Sequence, residues 1–348
     1  MPDSKIQIEI SSASILKAIS VVVLVILLYL LKDVLIIFLF ALIIASAISP
    51  FADWIEEKGF PRLLGVILLF GIVLGLITLV FSLVIPYFSQ DIDRLAGMLP
   101  GVVDKISVSL EKAQAGAPRY LDFLSEVQNV FETLSTYFQQ SAQSIVGFVV
   151  SIFGGLFSFV AILVISFYLS VMKKGIESFL GAVVPDKYEE YAISLWKRTE
   201  VKVGRWLQGQ LLLSLIVGLM VYIGLSLLGI RFALILGVWA MLLEIIPIVG
   251  PVIAAIPAII LAFMQEPTLG LWVLIFYIVV QQIENHILVP LVLGKTIGLN
   301  PVVVIIALLV GAQLAGIPGM ILSVPVSTVI VEIFEDMARE KRSRKVTS

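Results

Sequence analysis

Residues 244–257 read EIIPIVGPVIAAIP, one carboxylate, three prolines and one glycine in a stretch that is otherwise wholly apolar. Proline removes a backbone donor and clashes with the preceding turn, and glycine adopts non-helical angles readily, so a helix here is expected to break at Gly250–Pro251. The segment from Phe232 to Met264 should then be two half-helices, 232–248 and 252–264, about 25 Å and 20 Å long. A re-entrant hairpin and a single kinked crossing both fit those lengths. In either case the freed N–H and C=O groups need protein or a watery cavity around them, since hydrocarbon cannot satisfy them.

The rest of the chain is of the same apolar character. Of 348 residues, 60% are hydrophobic and only 14% charged, with a mean hydropathy of +1.10. Those values lie outside the range of a soluble domain and indicate an integral membrane protein. The formal net charge is −2, which gives no basic field for nucleic acid. There is no cysteine, and His286 is the only histidine, so disulfides, thiolate metal sites and histidine-based triads are excluded or reduced to one residue. Neither an enzyme nor a cofactor is expected. The string Gly294-Lys295-Thr296 ends like a phosphate-binding loop, but Val289 stands where its first glycine belongs.

Apolar segments long enough to cross a bilayer run over 14–31, 34–49, 62–86, 145–171, 208–229 and 268–289, and two more, 232–264 and 300–335, are interrupted. The expected fold is therefore an all-α polytopic membrane protein of about eight membrane segments, two of them broken or re-entrant. Its parts are N-terminal membrane helices (1–86), an external amphipathic helical region (87–144), a membrane helix (145–171), a basic segment (172–207), a C-terminal transport core (208–336) and a basic tail (337–348). In the external region Leu124, Val127, Phe131, Leu134 and Phe138 keep helical spacing. Lys173, Lys174, Lys187, Lys197, Arg198, Lys202 and Arg205 put the basic segment in the cytoplasm, and the basic tail on the same side. Counting crossings back places the N-terminus there too.

The second interrupted segment repeats the device of the first: Gly311, Gly316, Pro318 and Gly319 precede Pro325, as Pro247, Gly250 and Pro251 precede Pro257. Corresponding broken helices are the mark of a transport site near the membrane midplane. Between the two lies QQIENHILVP (281–290), where Gln281, Gln282, Glu284, Asn285 and His286 crowd one end of a helix. Polar groups at membrane depth are costly and mark ion or solute routes, although Gln282 and His286, near the segment end, also fit the headgroup level. Glu244 has no cation nearby in sequence, since Arg231 lies about 20 Å away along a straight helix; Lys295 is within reach of Glu284 if the chain folds back.

Taken together, E-x-x-P-x-x-G at 244–250, Q-x-x-E-N at 281–285 followed by Pro290, G-L-N-P at 298–301 and GIPGMILSVP at 316–325 resemble the bacterial autoinducer-2 exporter family of permeases. Ile48-Ser49-Pro50, Trp54 and GFPR at 59–62 resemble that family's connection between its second and third spans. The resemblance covers nearly the whole chain. It implies an all-helical inner-membrane transporter, a homo-oligomer with a pentamer as one form, and a family that includes exporters of the furanosyl quorum signal and sodium/proton antiporters. The family's marked positions fall on Glu244, Pro247, Gly250, Gln281, Glu284, Asn285, Pro290, Pro301, Gly311, Gly316, Gly319 and Pro325.

The leading expectation is a secondary transporter exporting a small polar solute, autoinducer-2 among the candidates, with Glu244, Gln281, Gln282, Glu284 and Asn285 along the pathway. The glycines and prolines are architecture. A sodium/proton antiporter is the alternative within transport, with Glu244 and Glu284 as oxygen ligands to a hard cation. An alternative of another class is a membrane scaffold or assembly protein acting through 87–144. The expected partners are the lipid bilayer, the solute, and sodium ion or proton; no metal site and no nucleic acid are expected.

Overall fold

The computed structural model describes residues 12–75, 78, 155–294 and 299–346, and every element in them is helical. The amphipathic region 87–144, together with 79–86 and 145–154 of two expected spans, lies outside the described residues. Four described helices are long and apolar enough to cross a membrane, and a bent pair makes a fifth. The exposed surface matches: Leu211, Leu215, Leu219 and Ile223 on one long helix and Leu271, Ile275 and Ile278 on another face outward, as bilayer contact requires. The protein is an all-α polytopic membrane protein.

Helix α1 (Ser12–Leu30) and α2 (Lys32–Glu57) are joined by Leu31 alone. Its angles, φ −92° and ψ 9°, bend a helix but do not reverse it, and a helical hairpin needs a loop of two or more residues. The runs 14–31 and 34–49, expected as separate spans, are thus consecutive lengths of one bent helix. After α3 (Arg62–Gly75), α4 (Leu156–Val171) turns by 90° into α5 (Gly175–Val183). Helix α6 (Asp186–Leu227) has 42 residues, about 63 Å, twice what a bilayer core needs. Its first half carries Lys187, Lys197, Arg198, Lys202 and Arg205 of the basic cluster and its second, from Leu207, carries no charge. The expected boundary at 207–208 therefore falls inside an unbroken helix that projects from the membrane.

Two hairpins complete the chain. The first joins α7 (Ala233–Leu243) to α8 (Val249–Gln265). Its two ends meet: the Gln265 side-chain carbonyl accepts the Arg231 N–H at 3.1 Å and its amide donates to the Gly229 carbonyl at 3.5 Å. Segment 232–264 is therefore a re-entrant hairpin rather than a kinked crossing. Its break is at 244–248, not at Gly250–Pro251 as expected, and Pro251 and Pro257 sit within α8, Pro251 in the first turn, where no helical N–H bond is lost. Gly250 is also helical. A side chain on it would strike the Leu243 carbonyl, so glycine serves close approach of the two arms, and the positive φ falls on Ile248 instead.

Helix α9 (Pro267–Val292) recrosses toward the charged half of α6, its end packing so that a side chain on Gly209 would meet Leu293 Cδ2 at 2.6 Å. The second hairpin, α10 (Pro301–Val346), starts there. Asn300 caps it, its side-chain oxygen accepting the Val302 N–H at 2.9 Å, with Pro301 in the first turn. The chain leaves helical geometry at Ala315 and at Gly316, whose φ is 60°. Gly311 and Gly319 then lie backbone against backbone; eight residues of straight helix would separate them by about 12 Å, so the arms fold sharply back. Pro318 begins the second arm and Pro325 lies inside it without interrupting it. The second arm ends against the charged half of α6, where Lys202 pairs with Glu332 and Arg198 holds Asp336 at 2.5 Å and 3.1 Å.

The hairpins thus enter from opposite ends of the helical core. Ile246, in the break of the first, shares one packed cluster with Leu308, Ile321 and Leu322 of the second, and with Phe40, Ile43, Ile162 and Trp206. A second cluster, Leu213, Val217, Val221, Leu236, Ala240, Ala258 and Val273, binds α6 through α9.

Candidate functional site

The site begins with the break in the first hairpin. Helix α7 lies tightly on α6 because both carry glycine at the crossing: a side chain on Gly237 would come within 2.7 Å of Tyr222 Cβ, and one on Gly218 within 2.5 Å of Met241 Cβ. That fixes where α7 ends, at Leu243, and where Glu244 emerges. The reversal is made by Ile248, φ 69° and ψ −52°, with the Val249 N–H donating to the Pro247 carbonyl at 2.7 Å. This is a classic γ-turn, a strained form that a β-branched residue rarely adopts. Pro247 removes the donor that would otherwise have continued α7.

Glu244 is buried, 1% exposed, and so is Gln210 of α6, 2% exposed. The Gln210 amide donates to the Glu244 main-chain carbonyl at 2.5 Å, an acceptor left over by the end of α7. No sequence signal beyond a glutamine at the head of an apolar run pointed to Gln210.

Helix α9 supplies the opposing group. Pro290 cannot donate to the His286 carbonyl and its ring crowds that turn. The helix widens just before it, and residues Glu284–Leu288 form a π turn in which the Val289 N–H donates to the Glu284 carbonyl. Such single π turns recur at functional sites because one extra residue rotates everything upstream against everything downstream. Here Glu284 is turned inward, 5% exposed, while Asn285 and His286 are turned outward. On a straight helix Gln281, Glu284, Asn285 and Leu288 would have shared a face.

Glu244 and Glu284 meet. Their carboxyl groups lie within hydrogen-bonding reach of each other, and the Gln281 side chain lies beside Glu284. The Oε2 atoms of both glutamates are buried with no hydrogen-bond partner among the described residues. Neither carboxyl is ion-paired by any described cation. Lys295, the cation sequence put within reach of Glu284, lies outside the described residues. Of the expected pathway residues the structure joins Glu244, Glu284 and Gln281 and adds Gln210; Gln282 and Asn285 face outward on the surface of this single chain. His286 Nδ1 lies 3.0 Å from the Gln282 carbonyl. The described residues contain no group of three or more His, Cys, Asp or Glu placed to hold a metal ion.

Two unpaired carboxyl groups facing each other in a hydrophobic core repel and lack solvation. The arrangement becomes stable when a proton is shared between them or a cation is seated there. Such a pair is a candidate for holding a proton or a cation.

Known proteins resemble the chain over most of its length. The chain is 30% identical over 292 residues to YueF of Bacillus subtilis (strain 168), covering 81% of this chain and 79% of that one. It is 27% identical over 303 residues to YrrI of the same organism, covering 86% and 85%. Both are provisionally named transport proteins. With the AI-2 transport protein TqsA of Escherichia coli (strain K12) it shares 26% identity over 320 residues, 86% of this chain and 85% of that one. Residues 18–339 match the AI-2E family transporters. A membrane fold broken twice and closed around a carboxyl pair, with a match running nearly end to end, makes the chain a member of the AI-2E transporter family.

Proposed function

We propose that this protein is a secondary transporter of the bacterial inner membrane that moves a small polar solute outward, coupled to an ion through the Glu244–Glu284 pair. The observation that carries this reading is the pair itself: two buried carboxyl groups within reach of each other, with unbonded Oε2 atoms and no cation among the described residues paired to them. A proton or sodium ion bound there has to leave and return by alternate sides for a gradient to do work, and a site between opposed hairpins is suited to alternate exposure. Gln281 beside the pair supplies a neutral hydrogen-bonding group for a hydroxylated solute. TqsA is named for AI-2, and autoinducer-2 is the first cargo to test. The positive-inside rule, applied to the basic half of α6 and the basic tail, supports a cytoplasmic charged end.

A sodium/proton antiporter without organic cargo is favoured by one feature, the all-oxygen character of the pair, which suits a hard cation. Reconstitution in liposomes separates the two. With a sodium gradient imposed and lumenal pH followed, a pH change in the wild type that is absent in Glu244→Gln and in Glu284→Gln supports ion coupling at the pair. Autoinducer-2 flux that the same substitutions stop supports export. Sodium-driven pH change with no flux of the signal leaves the antiporter, and wild-type activity retained by both variants removes the pair from the mechanism.

A further inference from the structure

We infer that Gln210 is the positioning residue for the carboxyl pair: by holding the main-chain carbonyl of Glu244 it sets where the first hairpin turns, and so whether Glu244 reaches Glu284. The inference rests on the reading of the pair as the coupling site for its consequence in transport, but its structural part stands alone.

Between Leu243 and Val249 the backbone bonds are local: Ile246 N–H to Leu243 at 2.9 Å, Val249 N–H to Pro247 at 2.7 Å and Gly250 N–H to Ile246 at 3.0 Å. These close the turn on itself and do not tie it to another helix. The Gln210 amide is the one described side-chain hydrogen bond from a neighbouring helix to the tip. It comes from α6, the long helix on which α7 already packs, and both of its ends are buried. A glutamine at this depth is costly unless its amide is used, and here it is used on the residue that carries the carboxyl. The turn it restrains contains the strained γ-turn at Ile248, and strained backbone persists only where surrounding contacts over-determine it. Gln210 is the polar part of that restraint, Ile246 in its packed cluster the apolar part.

The chemistry follows. With the tip held, the carboxyl groups of Glu244 and Glu284 are in contact and compete for one proton or cation. With the tip released they separate, and each binds a proton on its own. Gln210 therefore tunes the pH range of ion exchange without touching the ion.

The test is the full chain with Gln210→Met, which keeps side-chain volume and removes the donor, beside Gln210→His, which keeps an N–H at similar reach. Ser214→Ala, one turn along α6 and buried, is the control for a general disturbance of that helix. Hydrogen–deuterium exchange of peptides spanning 244–250 should rise about tenfold in Gln210→Met, the size of one lost buried hydrogen bond. Peptides in 213–227 should stay unchanged, and Ser214→Ala should leave the tip as in wild type. In proteoliposomes under a sodium gradient, Gln210→Met should move the pH profile of the lumenal pH change, with Gln210→His restoring the rate at the wild-type optimum. Tip exchange in Gln210→Met equal to wild type overturns the inference, whatever transport does. A faster tip with an unmoved pH profile overturns the tuning role. A wild type with no ion-linked signal counts against the proposed function instead, and the exchange result still decides the role of Gln210. If Gln210→Met does not fold, Gln210→His and Gln210→Asn, which is too short to reach, give the same contrast by exchange.

Discussion

At the scale of single residues, the break in the first hairpin shows strain and close approach assigned to different positions. Ile248 takes the positive φ although Gly250 is two residues away, because Gly250 is needed where the arms touch. A non-glycine residue in such a conformation costs about 1–3 kcal/mol. Ile248 is 46% exposed, so Ile248→Gly loses little packing and relieves the turn; thermal unfolding in detergent should show a melting temperature no lower than wild type, with transport reduced because the tip is freer. Gly237→Val should do the opposite, forcing α7 off α6 at a cost of about 1–3 kcal/mol, seen as a clear fall in melting temperature. Glycine was expected to matter here for its flexibility. At Gly250, Gly218 and Gly237 it matters because it lacks a side chain, and a neighbour's backbone or Cβ occupies the space.

At the scale of elements, the two interrupted segments are both hairpins, entered from opposite ends. Their glycines and prolines were legible as breakers, but which bond broke was not: the first opens at Glu244–Ile248 and the second at Ala315–Gly316. Proline in a first turn is compatible with a helix, so a proline marks the neighbourhood of a break and not its position. The cysteine-free chain offers a direct check. Single cysteines at Arg231 and Glu266 should react with a membrane-impermeant maleimide from the same side of oriented vesicles, and one at Arg339 from the other. Labelling of 231 and 266 from opposite sides would show a crossing in place of the hairpin. In α9 the polar residues crowded before Pro290 fall around a π turn, with Glu284 buried and Asn285 exposed.

At the scale of the molecule, the second hairpin is held at its far end by charge. Glu332 is buried, 5% exposed, with Lys202 paired to it and Arg198 at 3.8 Å. Removing the nearer cation leaves this buried carboxylate only the more distant Arg198 and costs more than breaking an exposed pair, worth about 0–1 kcal/mol. Lys202→Met should therefore lower the melting temperature more than Lys173→Met, whose pair with Glu56 is largely exposed. Exchange of charges in Arg198→Asp with Asp336→Arg should recover part of what either single change loses, measured by the same melts. A Lys202→Met protein as stable as Lys173→Met would mean that the Lys202–Glu332 pair adds nothing to holding the arm.

Composition, the apolar runs and the breaker residues by themselves determined that this is an all-helical membrane protein with two interrupted segments and a few polar residues worth suspecting. They could do so because hydrocarbon tolerates so little: charge, irregular backbone and polar side chains stand out against it. Only the tertiary structure decided that both segments turn back, that they face each other, and that Glu244 meets Glu284 with Gln210 behind it. These residues are 34 and 40 positions from Glu244 in the chain, on α6 and α9. No local periodicity encodes which helices lie side by side; that is settled by the glycine crossings and the packed clusters that bring three separate helices to one point.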